Sequence, residues 1–329
     1  MSRNEEPYET IQRLLKRYVR VVKDDQSLAA IHVGPEWQDH EILKEYDGQV
    51  TVGTEGNDER KLSFDGDLRQ RLSIVRVSVW SIDKPEQKVQ GRIMRDRVNS
   101  EIRRVIREKR LHPNETQSDF VGIGVASQSH KAWHAALNSE PSPTNSAWIE
   151  LDEEQYQKLW YSDDNRFQHT AQESGAYAFL LLKFRLDADP EVLKAVKLEF
   201  EGHGLAPAGN GLELKIWNSA SGLWEHSVSG SGSNDESLTI ELSSDLADFV
   251  DDERCVFCLA RTINPGDGVD PAVLYCDYAQ AIITTNGLTY ADLASFRDVD
   301  LVNVKPFVWH TEFVVKTWFF ENVPVIREE

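Results

Sequence analysis

The chain has 329 residues, with 55 Asp and Glu against 36 Lys and Arg and a formal net charge of -19. That length buries a full hydrophobic core and fits about two ordinary domains. Charges interrupt the apolar runs well short of the roughly 20 residues of a membrane span, and the N-terminus MSRNEEPYET lacks the apolar core of a signal peptide, so neither a membrane partner nor classical secretion is expected.

After Pro7, the residues Ile11, Leu14, Leu15, Tyr18, Val19 and Val22 recur at helical spacing with basic residues between them, which predicts an amphipathic helix with Pro in its first turn. Short β-type runs follow at 31–33 and 49–53, then RLSIVRVSVW, in which Val75, Val77 and Val79 mark one face. Met94, Val98, Ile102, Val105 and Ile106 form the stripe of a second helix, which Pro113 stops near His112. Residues 119–127, DFVGIGVAS, read as a further strand, and ALNSEPSPTN breaks the pattern as an exit from the domain.

From Trp148 to Thr285 nearly every segment has strand character, with one short helix expected at 152–160. Val196, Leu198 and Phe200 alternate with charged residues, as do Leu212, Leu214 and Ile216, and turn-rich spacers separate the runs, the pattern of a sandwich or jelly roll. PFVWHTEFVVKTWFFENV then predicts a long final strand with Phe307, Trp309, Phe313, Val315 and Phe319 on one face. A strand so late needs a sheet to join, and the nearest is the one begun upstream. The fold expected is therefore α+β: a discontinuous mixed domain, 1–137 and 288–329, with an all-β sandwich inserted at 138–287. Charge divides the same way, since 138–287 holds 26 acids against 9 bases and the remainder 29 against 27.

The second helix stands out, with eight Arg or Lys against three acids between Gly91 and Arg110. Its face either meets an acidic neighbour or is simply solvated; direct contact with DNA is disfavoured, and no sequence-specific nucleic-acid contact is expected.

Nucleophile elbows, phosphate-cradling loops and HExxH patterns are missing from the sequence, so no catalytic residue, cofactor or metal site is assigned and no enzyme is expected. GIGVAS lacks the third glycine of a dinucleotide site. Cys255 and Cys258 form a CxxC within an apparent strand, where they read as packing thiols. His203 and His226 read as surface or loop residues. The acidic pairs Asp163-Asp164 and Asp251-Asp252 read as solvated loop acids, with a contribution to calcium coordination as the alternative. Trp217 and Trp224 bracket NSASGL in a predicted hairpin; cross-strand packing is the favoured role and stacking on a sugar face the alternative.

With VRVSVW followed by GRIMRDRVNSEIRRVI and the late strand EFVVKTWFF, residues 1–127 and 288–329 resemble the tail-terminator or tail-completion (neck) proteins of tailed viruses. The insert, on VKLEFEGHGLAPAGNGLELKIWNSASGLWE and LSSDLADFVDDERCVFCLAR, is similar to β-sandwich modules of microbial surface and viral proteins. The first resemblance implies a structural virion protein, assembled in the host cytoplasm, that forms a homohexameric ring, caps the tail tube protein and joins it to the head–tail connector protein. Arg103, Arg104 and Arg107 are then the candidate subunit interface. The second implies a carbohydrate- or receptor-binding alternative, with Trp217 and Trp224 stacking on a host-surface glycan.

Overall fold

Pro7 opens the first helix, α1 (Pro7–Tyr18), where its fixed φ suits the first turn, and Glu6 and Glu9 close a capping box over the free N–H groups. The structure, a computed structural model, describes residues 3–35, 37–62, 68–84, 89–301 and 306–322. It divides into two units: an outer one, 3–116 with 286–329, and an insert, 117–285.

In the outer unit α1 is followed by β1 (Ile31–Gly34), α2 (His40–Glu45), β2 (Gly48–Lys61), β3 (Leu68–Ile82) and α3 (Gly91–Glu108). The insert runs β4 (Glu115–Asp119), β5 (His130–Leu137), β6 (Ile149–Glu150), α4 (Glu153–Gln157), β7 (Phe167–Ala171), β8 (Tyr177–Arg185), β9 (Leu193–Leu205), β10 (Leu212–Asn218), β11 (Leu223–Gly230), β12 (Glu236–Leu242), β13 (Cys255–Thr262) and β14 (Ala272–Thr285). The chain then returns to the outer unit as β15 (Tyr290–Asp298) and β16 (Val308–Asn322).

The outer sheet has the order β1-β2-β3-β16-β15, so the last strand pairs with β3, as the sequence required. Val75, Val77 and Val79 of β3 share a face with Phe313, Val315 and Phe319 of β16, and this face packs beneath the apolar stripes of α1 and α3. Phe307 lies just before β16 and is exposed. The core of this unit also holds an ion pair: Arg13 donates to both Glu5 oxygens at 2.9 and 2.8 Å, Thr10 Oγ1 adds a third bond at 2.7 Å, and Glu5 and Arg13 are each 4 % exposed. The returning chain is tied in beside this pair, where Glu5 N donates to the Asn286 carbonyl at 2.7 Å.

The insert consists of two sheets, β11-β10-β13-β8-β5-β6 and β12-β9-β14-β4, with β7 pairing β14. Inward residues of both sheets, Leu180 and Leu182 from β8, Leu214 from β10, and Leu198, Phe200 and Ile240 from β9 and β12, belong to one apolar core. Two sheets closing on a shared core make a β-sandwich. Burying each such Leu or Phe contributes roughly 1.5–3 kcal/mol.

Three sequence expectations need correction. The insert begins at 117 rather than 138, because β5 belongs to its six-stranded sheet. The strand read at 119–127 lies instead at Glu115–Asp119, and the glycine-rich stretch after it is turns: Gly122 has φ +73°, and a Cβ at Gly124 would lie 2.2 Å from a Glu153 oxygen. The Pro-rich stretch after β5 is not an exit, since its Glu140 and Pro141 bond to the sandwich.

Candidate functional site

The β10–β11 hairpin builds a groove on the sandwich. Leu212, Leu214 and Ile216 point inward and fix the register, which leaves Trp217 on the outer face of β10. Asn218 closes the turn: its Oδ1 accepts from Ala220 and Ser221 N–H groups at 3.0 and 2.9 Å, its Nδ2 donates to Glu225, and Gly222 takes φ +69°. The register then places Trp224 directly across from Trp217, with ring centroids 5.0 Å apart at 67°.

The two tryptophans divide their work. Trp224 Nε1 donates to the Pro141 carbonyl at 2.9 Å, pinning the stretch after β5, which is also held by Glu140 on Lys215 at 2.6 Å and on Arg261 at 3.1 Å. Trp217 instead lines an open groove of about 440 Å³ with Phe257, Pro143, Thr144, Asp251 and Asp252. Ser219 also lines it, and its hydroxyl oxygen is buried without a hydrogen-bond partner. An aromatic ring beside two carboxylates and hydroxyls can stack on a sugar ring while accepting hydrogen bonds from its hydroxyls. Asp251-Asp252 therefore faces a cleft as well as water. Asp251 is also structural, accepting from the Glu253 and Cys255 N–H groups at 2.9 and 2.7 Å.

Cys255, Cys258 and Cys276 are free thiols in the core; burial, with Asp251 adding to it, pushes Cys255 up to about 11. Such thiols are packing groups. His226 is exposed on the hairpin against Phe249. His203 departs from expectation: it is 7 % exposed on β9 and stacks on Tyr275 at 4.4 Å.

On the outer unit, the three candidate interface arginines have different surroundings. Arg103 lies over the Phe296 ring at 3.9 Å. Arg104 donates to Glu101 at 2.8 Å, to Glu108 at 2.6 Å and to the Tyr18 carbonyl at 3.0 Å; its hydrogen bond to Glu101 raises it above the ordinary guanidinium range. Arg107 is exposed and has no partner among the described residues. Elsewhere on α3, Arg95 is buried against Asp96, Asp298 and Asp300, and Arg97 pairs with Asp24. Much of the helix's positive charge is thus matched within its own unit. The sequence hid this because Asp24, in the turn after α1, and Asp298 and Asp300, at the end of β15, are distant from α3 in the chain and meet it only in the folded unit.

Among known proteins, a family described as an uncharacterized protein, C-terminal domain, matches residues 127–285, just under half of the chain. The match falls within the insert and spans β5 to β14. No curated protein matches the chain.

Proposed function

We propose that the chain is a structural virion protein of the neck or tail, whose outer unit assembles into a homohexameric ring that caps the tail tube, ends its polymerisation and meets the head–tail connector. The observation that carries this reading is the half-covered sheet of the outer unit. α1 and α3 pack on one face, while α2 reaches only one end of the other, over Ile82, Val308 and Trp80. No other helix among the described residues of this unit covers the rest, where Leu72, Ile74, Val314 and Trp318 are half-buried, Phe320 is exposed, and Arg76 and Lys316 lie between them. Such a face suits a ring contact, with apolar area for affinity and charges for orientation. In this reading the insert is a jelly-roll-like decoration kept solvated by its acidic surface.

Electron microscopy of the purified protein tests the ring, and Trp318→Glu should abolish it while the far-ultraviolet circular dichroism stays unchanged. Particles made without the protein should carry tubes of uncontrolled length that fail to join heads. Normal tails joined to heads would overturn the assignment.

A second reading, binding of a host-surface glycan by the insert, is favoured by the groove beside Trp217. Trp217→Ala should then abolish retention on host glycans with little change in melting, whereas Trp224→Ala should lower the melting temperature by releasing Pro141. Retention unchanged in Trp217→Ala would remove this reading.

A further inference from the structure

Strand β14 changes phase at Asp277. Ala272, Leu274 and Cys276 belong to the sandwich core, and so do Ala279, Ala281 and Ile283, so the alternation slips by one residue between the two sets. Pairing with β9 slips at the same place: Cys276 faces Gly202 and Tyr278 faces Glu201, which leaves Asp277 opposite no residue. A bulge of this kind re-aims a single side chain. Gly202 is required beside it, because a Cβ there would lie 2.1 Å from the Tyr275 carbonyl oxygen.

The re-aimed carboxylate is 2 % exposed, and its Oδ1 is buried with no hydrogen-bond partner. Two more carboxylates converge on it. Asp164 sits in the loop before β7 at φ +65°, and β7 pairs with β14 through Phe167 and Cys276, which brings that loop alongside. Asp235 directly precedes β12. One oxygen from each of Asp164, Asp235 and Asp277 lies within 4.8 Å of the other two. Asp235 is held in orientation by His203 Nδ1 at 2.8 Å and Arg166 Nε at 2.6 Å, and Arg166 Nη2 reaches Asp164 Oδ1 at 2.7 Å. Arg166 thus bonds two of the three carboxylates and reaches Asp277 only through its charge; Asp277 also accepts from the Asp163 and Asp164 backbone, and Glu201 adds further negative charge beside it. A buried carboxylate oxygen without a donor is costly, and a bound cation removes that cost.

We propose that Asp164, Asp235 and Asp277 form a calcium-binding site, with Asp277 Oδ1 as its innermost ligand. All three donors are hard oxygens, which excludes a preference for softer metals. The ligands come from two loops and a bulge, and Asp164 is exposed, leaving coordination positions for water; calcium accepts such an irregular, partly hydrated set more readily than magnesium does. His203, stacked on Tyr275, is the positioning residue that keeps Asp235 turned toward the site. Binding would fasten both loops to β14 and so add to the stability of the insert. The proposal is independent of the ring, and either can fail alone.

The test uses the full chain stripped with EGTA and titrated with CaCl2 by calorimetry. One saturable calcium ion should bind, and the melting temperature of the insert should rise. TbCl3 should give luminescence sensitised by nearby tyrosine and displaced by CaCl2. Asp277→Asn should weaken binding at least about tenfold, and so should Asp164→Ala, whose exposed position keeps misfolding from explaining the loss. No saturable binding in millimolar CaCl2, or an affinity unchanged in both variants, would overturn the site and leave Arg166 as the only cation of the cluster.

Discussion

The outer unit and the insert treat charge in opposite ways. The outer unit has 28 acids and 26 bases and matches many of them internally, down to the buried Glu5–Arg13 pair and the Arg95 cluster on α3. The insert has 27 acids against 10 bases, and seven of those bases are already held in ion pairs, so its remaining charge is mostly acid facing water or, at Asp277, acid facing inward. A basic helix in an acidic chain is therefore largely local neutralisation, and the chain's net charge resides in the sandwich.

The sharpest way to break this contrast is to remove one buried ion. Arg13→Ala leaves Glu5 uncompensated in the outer core and should cost about 3–5 kcal/mol, whereas replacing both Glu5 and Arg13 with Leu should recover much of the loss. Denaturant unfolding followed by circular dichroism should show the outer unit unfolding early and the insert's transition unmoved. A single shared transition, or a variant as stable as the parent, would mean that the ion pair is not what holds the start of the chain to the returning Asn286.

Acid sharpens the comparison further, because burial holds a histidine below its ordinary range in each unit. His310 in the outer sheet is 4 % exposed and stacks on Trp80 at 3.6 Å; burial lowers it to about 4. His169 in the insert, whose ring lies 4.3 Å from that of His134, is also lowered to about 4, first by burial and then by His134. Both folded values lie below the ordinary 6.5, so the unfolded chain binds more protons between these limits. Stability is complete above pH 6.5 and falls as pH drops toward 4. The loss at His310 approaches about 3 kcal/mol, and that at His169 is smaller because its ring is only partly buried. His310→Phe should flatten the pH dependence of the outer transition alone; a dependence that survives would assign it to carboxylates instead.

How much was legible in the sequence follows from burial on one face. α1, α3, β3, β9, β10 and β12 show their period because one side of each meets a core, whereas β8 and β13, buried at nearly every residue, read as strands from their continuous apolar runs. The distal half of β2, GTEGNDERK, gave no periodic signal: Glu55, Asn57, Asp58, Glu59 and Arg60 are exposed, and the strand is held by pairing with β3. α2 is only six residues long and β15 ends in exposed residues, so neither carries a clear stripe. The Pro-Ser stretch after β5 reads as an exit from the domain because Trp224 and Lys215, its partners, lie about 80 residues away. Asp277 was legible in principle, since the core alternation of β14 changes parity at that residue. What periodicity withholds is convergence: nothing in YSDDNRF or SGSNDES says that Asp164 and Asp235 meet at that bulge.

The smallest expected effect separates display from neutralisation on α3. Arg104 and Arg107 are three residues apart, yet Arg104 bridges Glu101, Glu108 and the Tyr18 carbonyl while Arg107 projects alone. Arg104→Ala should cost up to about 1 kcal/mol, since it removes a network at a half-exposed position, and Arg107→Glu less than about 0.5 kcal/mol. Assembly should rank them the other way: an arginine already committed to its own helix offers little to a neighbour, whereas a free one can meet an acidic surface. Light scattering at moderate salt decides between them. If Arg107→Glu lowers the oligomer mass while Arg104→Ala leaves it unchanged, the exposed residue is the contact. If neither moves the mass, the basic face of α3 is a solvated surface, and a ring must be held by the sheet face around Trp318 alone.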